Sequence, residues 1–376
     1  MVSTASGWLG TARMTRAFAK ANFEVSLLAP KDSLAAKSRY VARLRLLPDN
    51  AVPMQFLLAL ASMVADIKPR LLGPCDEMAR RLLFALILEP SPDRLAPAAQ
   101  LQLAALAQES LGDPKFYETS IDKLLLPPAA EALGVRVPRY IVADNVDNAK
   151  AFAAMHGYPV VLKRRFGFAG EGVAIVSCAD ELAREAHLLM RPDQLDLGQR
   201  KPPRLLVQEF VDGPYHSHAI VAWRGIPLAG FAWDRHVASL PLKGQTTVVR
   251  FVRSPESRAF SETLCRAFGI SGFFNVQFVL RADTGEAHLL EINRRVVTHM
   301  HMGGRVGADL PVALYDHMRG TPPAPVAEFP GAFGPRVAVF PREWLRDPAS
   351  RYLRECAVDV PWDEPELIEA MLAMRH

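Results

Sequence analysis

Between Phe273 and Arg295 the chain reads Phe-Phe-Asn-Val-Gln-Phe-Val-Leu, a short polar turn, and then Leu-Leu-Glu-Ile-Asn-Arg-Arg. Polar and apolar side chains alternate in both halves, the pattern of half-buried strands. Asp283-Thr284-Gly285 reads as a three-residue hairpin loop with glycine at its left-handed position. A loop of that length places Gln277 opposite Glu291 and Asn275 opposite Asn293. Period two then puts Gln277, Glu291 and Asn293 on one face, with Leu290 and Ile292 on the other. Three oxygen-bearing side chains converging from adjacent strands suit a hard cation such as magnesium, with phosphate oxygens completing its shell. Most alternating hairpins simply present a solvated face. Here a carboxylate, an amide and a guanidinium fall on one line after an otherwise apolar run, which favours the metal site.

A second stretch, Tyr158 to Val176, runs Pro-Val-Val-Leu into Lys163, then a glycine-rich loop (Gly167, Gly170, Gly172), then Val173 to Val176. Glycines let backbone N–H groups approach phosphates, and Lys163 adds a positive charge nearby. The element after the loop reads as a strand and no Gly-Lys-Ser/Thr follows, so this is not a P-loop. Taken alone, such a hairpin loop is unremarkable. The third stretch, Leu205 to Ile220, reads as a buried strand broken at Asp212-Gly213-Pro214. A broken edge frees backbone N–H and C=O groups that could read an adenine edge. His216 and His218, like His299 and His301, share a strand face, but nothing in their company calls for zinc.

The elements that must hold these residues follow from periodicity. Residues 1 to about 118 alternate strands and helices: Val2 opens a strand, Thr11 to Ala21 is a helix, and Glu24 to Leu28 is a strand. Another strand ends at Arg70-Leu71-Leu72, and Asp76-Glu77 opens a further helix. Such alternation predicts a parallel sheet with helices on its faces. Gly7 and Gly10 lack the full dinucleotide-binding spacing, and a tight turn ahead of a helix accounts for them better. From Asp122 we expect a helix over Lys123 to Leu133, a strand over Val135 to Val142, and helices at Ala149 to His156 and Asp180 to Met190. A polar, Pro-rich connection spans 191 to 203, and residues 204 to about 300 read as mostly strands. Thr321-Pro322-Pro323-Ala324-Pro325 leads into a small terminal region. The predicted organisation is an α/β unit at 1–118, an α+β unit at 119–320 with a lid at about 135–203, and an extension at 321–376.

The chain has 376 residues, half of them hydrophobic, with 44 Lys+Arg against 40 Asp+Glu and a net charge of +4. That excess is too small for a nucleic-acid binder, and Lys163-Arg164-Arg165 and Arg294-Arg295 suit small anions better. Four dispersed cysteines exclude a disulfide scaffold and point to a reducing cytoplasm. The start of the chain has no signal-peptide pattern. The most apolar stretches, Phe56 to Val64 and Leu82 to Leu88, are too short to span a bilayer and read as buried helices.

In this order and spacing the three stretches resemble the ATP-grasp superfamily. The Asn275 to Arg295 hairpin is similar above all to the synthetase halves of carbamoyl phosphate synthetase, which also place a glutamine at the first metal position. The resemblance implies a pre-ATP-grasp Rossmann-like domain, a lid, and a central, mainly antiparallel sheet. It implies ATP and Mg2+ as cofactors, with Mn2+ as an alternate. Lys123 and Lys163 would contact the ATP phosphates, and Gly167, Gly170 and Gly172 would lie in the lid loop. Gln208, Glu209, Phe210 and Val211 would hold adenine through the backbone. His216 stands where many members carry an acid near the ribose. Gln277, Glu291 and Asn293 would bind magnesium, and Arg295 would stabilise the transferring phosphate. Arg294 replaces the usual proline, and the chain lacks a glutaminase and a second synthetase half.

The function so implied is ATP-dependent activation of a carboxylate as an acyl phosphate and its coupling to an amine. The alternatives are a bicarbonate-activating enzyme and an ATP-binding subunit without turnover. Small-molecule acid and amine partners are expected, with no nucleic acid or membrane, and with a homodimer as the assembly. The acid is expected between Arg295, the stretch beyond it and the N-terminal turn at Ser3 to Gly10. Arg305, after Gly303-Gly304, is the candidate to hold its tail, with a capping or surface role as the alternative.

Overall fold

The computed structural model describes residues 1–48, 50–88, 96–167, 170–191, 203–239, 244–322 and 331–374. The expected connection at 191–203 and the Pro-rich join near 321–325 lie largely outside the described residues, as do Phe168 and Ala169 of the glycine loop.

The N-terminal region comprises α1 (Leu9–Lys20), β1 (Val25–Pro30), β2 (Val41–Leu47), α2 (Pro53–Ile67), α3 (Glu77–Leu88) and α4 (Pro97–Leu111). β1 and β2 pair in parallel, as the alternation predicts. The strands expected at Val2 and at Arg70 to Leu72 are reduced to single parallel bridges, Val2 to Leu28 and Val2 to Pro74. Proline at 69 and 74 withholds backbone donors there, so a continuous ladder cannot form. The two apolar stretches are buried helices: α2 begins with Pro53 in its first turn, where a missing N–H costs nothing. Phe56, Leu60 and Val64 of α2 pack with Leu83 and Phe84 of α3 and Leu103 of α4. No helix among the described residues is long and apolar enough to cross a membrane.

The second unit contains α5 (Leu126–Glu131), β3 (Tyr140–Ala143), α6 (Val146–His156), β4 (Val160–Arg164), β5 (Val173–Val176), α7 (Ala179–Leu189) and β6 (Leu205–Glu209). The helix expected from Lys123 starts late because Pro127-Pro128 fit only its first turn, and the strand expected from Val135 is confined to β3. Its four strands form an antiparallel sheet in the order β3-β6-β4-β5. Period two divides that sheet: Val160, Leu162, Ala174, Val176, Leu205 and Val207 join a core with Phe152 of α6 and Leu182 of α7. Val161, Lys163, Val173, Ile175 and Gln208 face the other way, into a cleft.

β6 therefore belongs to the lid, and the boundary expected at 203/204 falls instead at the break after Glu209. The reason is local. Gly213 has φ 153°, and a Cβ there would stand 1.7 Å from the Leu280 carbonyl oxygen, so only glycine passes this crossing between two sheets.

The central sheet is built from β7 (Tyr215–Trp223), β8 (Ile226–Ala238), β9 (Thr246–Val252), β10 (Gly272–Leu280) and β11 (Ala287–Asn293), with α8 (Pro255–Ala267) between β9 and β10. α8 is the helix within the mostly-strand stretch of 204–300, and it was not among the expected elements. Its signals were present in the sequence: Pro255 in the first turn, Glu256 beside it, and Phe260, Leu264 and Phe268 at helical spacing. α9 (Leu310–Met318), β12 (Phe333–Ala338), α10 (Arg342–Arg346), α11 (Tyr352–Glu355), β13 (Ala357–Val358) and α12 (Pro365–Leu372) complete the chain. The expected terminal extension is integral to the fold. β12 and β13 extend the sheet to seven strands in the order β11-β10-β7-β8-β9-β12-β13, and Leu367 and Met371 of α12 pack on Leu9 and Leu27.

Both faces of this sheet are covered. Ile220, Phe274, Val276 and Phe278 lie under α8 with Leu264 and Phe268. Ala219, Val221, Phe231 and Phe251 lie under α1 and α9 with Met14, Phe18 and Leu314. Each such phenylalanine stabilises the fold by about 2–3 kcal/mol through burial. The cleft opens where this second face runs out from under its helices and meets the lid.

Candidate active site

The hairpin β10–β11 brings Gln277 opposite Glu291 and Asn275 opposite Asn293, as expected, but by a different route. The connection is one residue longer than predicted, with Arg281 N–H donating to the Glu286 carbonyl at 3.0 Å and Leu280 opposite Ala287. Alone, that loop would misalign the metal-site residues by one. A bulge corrects it: Phe278 faces Leu289 and Gln277 faces Glu291, leaving Leu290 as the extra residue. Leu290 consequently lines the cleft beside Glu291 instead of pointing away, whereas Ile292 joins the core.

The cleft has a volume of about 290 Å3 and runs between the lid and central sheets. Lys123, Lys163, Gly170, Gln208, Glu209, Phe210, Val211, His216, Gln277, Glu291, Asn293 and Arg295 all line it. Gly167 stands at its edge, its carbonyl accepting from Lys123 Nζ at 2.8 Å, and Gly172 closes the hairpin through its carbonyl and the Arg164 N–H at 2.8 Å. Arg305 is the exception: it is exposed at the end of the 3-10 segment Met300–Val306 and does not line the cleft. Gly303 before it has a packing reason, since a Cβ there would stand 2.0 Å from the Ala308 carbonyl oxygen.

The basic clusters also divide. Arg165 pairs with buried Asp122 at 2.7 Å, Arg164 donates to the Leu188 carbonyl at 3.3 Å, and only Lys163 of that trio lines the cleft. Arg294 points away from Asn293 and Arg295, as alternation requires. It donates to Ser120 Oγ at 3.1 Å and to the Leu111 carbonyl, and its guanidinium lies over the Phe84 and Tyr117 rings. It is a tie to the N-terminal helices, not an anion contact.

Lys123 Nζ stands 3.4 Å from Glu291 Oε2, and Asn293 Nδ2 donates to Glu291 Oε1 at 2.9 Å. Burial alone would raise the Glu291 carboxyl; Lys123, the Asn293 hydrogen bond and Lys163 outweigh it and hold the group below its ordinary range. Burial, with Lys123 adding to it, lowers the Lys163 ammonium to about 8 against the pull of Glu291. Arg295 Nη2 donates to Asn293 Oδ1 at 3.2 Å, its guanidinium lies 4.9 Å from the Trp8 ring, and Nε stands 3.5 Å from Glu77 Oε2.

Glu77 was not singled out in the sequence. It opens α3, pairs with buried Arg80, and is held at about 2: burial would raise it, and Arg80 and then Arg295 more than reverse this. Asp76 sets that helix end, accepting from Ser3 Oγ at 2.8 Å, Thr4 Oγ1 at 2.7 Å and Ala79 N–H at 2.9 Å. The N-terminal turn thus aims α3 at Arg295. Gly10 permits the same approach from α1, where a Cβ would meet the Val297 carbonyl carbon at 3.0 Å.

Five residues that line the cleft each carry a buried polar atom without a hydrogen-bond partner: Gln208 Oε1, His216 Nδ1, Asn275 Oδ1, His299 Nε2 and Arg342 Nε. Buried polar groups are seldom left so, and a line of them marks where a polar ligand belongs. His218, by contrast, is fully enclosed, its imidazole lowered to about 4 by burial and then by Arg258. No group of three or more His, Cys, Asp or Glu side chains arranged to hold a metal ion occurs among the described residues. The donors at the hairpin are amide oxygens and one carboxylate, with orphaned Asn275 Oδ1 beside them. That set fits a hard cation sharing anionic ligand oxygens.

The Lys163 shift carries a test. Its ammonium sheds its proton near 8, so above that pH a bound phosphate must draw a proton back. Nucleotide affinity measured by calorimetry is expected to be flat below about pH 7.5 and to weaken by up to about tenfold per unit above pH 8. Lys163→Ala should weaken binding at every pH, and Lys163→Arg should flatten the profile. A wild-type profile flat to about pH 9.5 would remove Lys163 from the phosphate site.

Comparisons with known proteins agree with this geometry. Residues 122–222 match the family "Carbamoyl-phosphate synthase L chain, ATP binding domain", and residues 201–336 match "ATP-grasp in the biosynthetic pathway with Ter operon". The carbamoyl phosphate synthase arginine-specific large chain of Cutaneotrichosporon cutaneum is 26% identical over 195 residues, 50% of this chain and 16% of that one. An uncharacterized protein of Sinorhizobium fredii is 34% identical over 109 residues, 29% of this chain and 22% of the relative. This chain thus spans less than a quarter of either. Among solved structures, the biotin carboxylase domain of Hydrogenobacter thermophilus 2-oxoglutarate carboxylase superposes with a TM-score of 0.63 at 17% identity, covering 89% of this chain and 72% of that one. That likeness speaks for the fold alone. With the two family matches together spanning 122 to 336, the chain has the ATP-grasp fold and resembles the ATP-binding domain of carbamoyl phosphate synthase.

Proposed function

We propose that the protein uses ATP to phosphorylate a carboxylate and passes the resulting acyl group to an amine, releasing ADP and phosphate. The observation that carries this reading is the meeting of Lys123 and Lys163 with Glu291, Asn293 and Arg295 in one cleft bordered by orphaned polar atoms. Val161, Ile175 and Leu290 offer apolar walls for a purine, and the backbone from Gln208 to Val211, where strand pairing ends, offers its edge contacts. The Glu209 carboxylate is engaged by Arg139 at 2.8 Å and Arg281 at 2.9 Å, which leaves that role to its main chain. His216, which lines the cleft with Asp234 opposite it on β8, is the residue assigned to the ribose.

Lys163 and Lys123 neutralise the phosphates, and Arg295 faces the group in transfer. An oxygen of the acid attacks the γ-phosphorus as the bond to the β-γ bridging oxygen breaks, and ADP leaves with that electron pair. The amine nitrogen then bonds to the acyl carbon, and phosphate departs with the oxygen gained from the acid. Magnesium, held by Gln277, Glu291 and Asn293, would supply charge neutralisation on the phosphate oxygens. Bicarbonate as the acid is the second reading, favoured by a glutamine at position 277. The solved relative named above carries MgADP and bicarbonate and is a dimer, which supports Mg2+ as the ion and a homodimer as the assembly.

Phosphate release with pools of acids and amines, set against bicarbonate alone, tests the proposal. Release requiring both an acid and an amine is the expected result. Release with bicarbonate alone would favour the second reading. Nucleotide binding without release under any combination would leave a non-catalytic ATP-binding role.

A further inference from the structure

Some residues lining the cleft are not used by the nucleotide reading. Trp8 and Trp233 line it together with Arg295, His299 and Arg342. Arg342 comes from the C-terminal region: it is the first residue of α10, just past β12, where Val339 N–H donates to the Thr247 carbonyl at 2.8 Å and ties this segment to β9. No described carboxylate pairs with Arg342, and its Nε is buried without a hydrogen-bond partner. The neighbouring acids are taken. Glu343 is engaged by Arg346 and Ser350, and Asp359 by Arg13 at 2.8 Å and His301 at 2.7 Å. His299 stands beside it, 8% exposed, with Nε2 lacking a partner and its ring 5.4 Å from that of Trp233.

Arg342 is half-buried, its Nε is enclosed, and no described counter-charge meets it, so it is free to take an anion; a planar fork is suited to a carboxylate or phosphate. Arg295 is otherwise occupied, shared between Glu77, Asn293 and the group in transfer. Burial lowers Arg342 to about 10, and His299 is held well below its ordinary value by burial and then by Arg342. Both effects agree with a part of the cleft that is positive and short of anions.

We infer that the acid substrate carries a second oxyanion, separated from the reacting carboxylate by a carbon skeleton, and that Arg342 binds this oxyanion with His299 as its neighbour. This inference rests on the ligase reading of the same cleft and narrows it. Bicarbonate, with one anionic group and no skeleton, would leave Arg342 unused. The role expected of Arg305 passes to Arg342, a residue of the C-terminal region.

The test fills the nucleotide site with Mg-AMPPNP and follows tryptophan fluorescence, to which Trp8 and Trp233 contribute directly. Two matched pairs are titrated, glutarate against valerate and phosphoglycolate against glycolate. In at least one pair the dianion is expected to bind about tenfold more tightly than the monoanion. The pair that responds distinguishes carboxylate from phosphate. Arg342→Gln should erase the difference with AMPPNP affinity unchanged, and Arg342→Lys should restore part of it. Equal binding within both pairs, or a difference that survives in Arg342→Gln, would overturn the assignment with the nucleotide reading intact. Failure of Mg-AMPPNP itself to bind sinks the nucleotide reading and this inference with it.

Discussion

Arg295→Ala is expected to cut product formation by on the order of a hundredfold or more, with ATP affinity nearly unchanged. The expectation follows from where the guanidinium sits. It is buried, lies 4.9 Å from the Trp8 ring, and is steered by Asn293 at 3.2 Å and Glu77 at 3.5 Å. A donor so preorganised costs no rearrangement when charge develops on the transferring group, and removing one such donor raises the barrier by about 3 kcal/mol. On the proposed reading the nucleotide gains little from it in the ground state, since Lys123 and Lys163 are the groups assigned to the phosphates. The variant should therefore lose kcat and keep its affinity. Glu77 retains Arg80 as a partner, so the carboxylate is not stranded by the substitution. A matched loss of ATP affinity and turnover would instead make Arg295 an ordinary binding residue.

The second large effect is expected at Glu291. Glu291→Ala should abolish measurable phosphate release, a loss on the order of a thousandfold or more, while circular dichroism stays that of the native fold. Glu291 is the lone carboxylate of the hairpin's oxygen set and also the counter-charge to Lys123 at 3.4 Å. Its removal leaves two buried ammonium groups facing each other. The proton on Lys163, already shed near 8, should then be lost at still lower pH. Glu291→Gln separates the two contributions, because an amide keeps an oxygen for the cation and discards the charge. Both variants are expected to lose release, and both should move the pH dependence of nucleotide binding downward. Full activity in either would dispose of the metal assignment.

Much of the site was legible because its residues are close in sequence and obey period two. Glu291, Asn293 and Arg295 must share a line on any extended strand, and Val161 and Lys163 must share a face on another. The pairing of Gln277 with Glu291 was anticipated correctly, yet through an oversight that cancelled: the loop is longer than the sequence suggested, and the Leu290 bulge restores the alignment. Bulges leave only a faint trace in a sequence, because one extra apolar residue in an apolar run breaks no local rule. α8 was overlooked although its proline, acid and helical spacing were all present. β6 was assigned to the wrong sheet, since a buried strand reads alike whichever neighbours it takes.

What the sequence by itself determined is local: the line of oxygen donors on the hairpin, the lysine ahead of the glycine loop, the break at Gly213, and the extended and helical stretches around them. These rest on short-range sterics and on the period of each element. Only the tertiary structure decided that Trp233, His299 and Arg342 stand at the same cleft, that Glu77 backs Arg295, that Arg294 turns into the core, and that Arg305 is left on the surface. Those residues lie far apart along the chain, so no spacing rule relates them. Their meeting depends on packing α3, the β8 face and the start of α10 around one sheet, and that arrangement is set by the burial of the whole core.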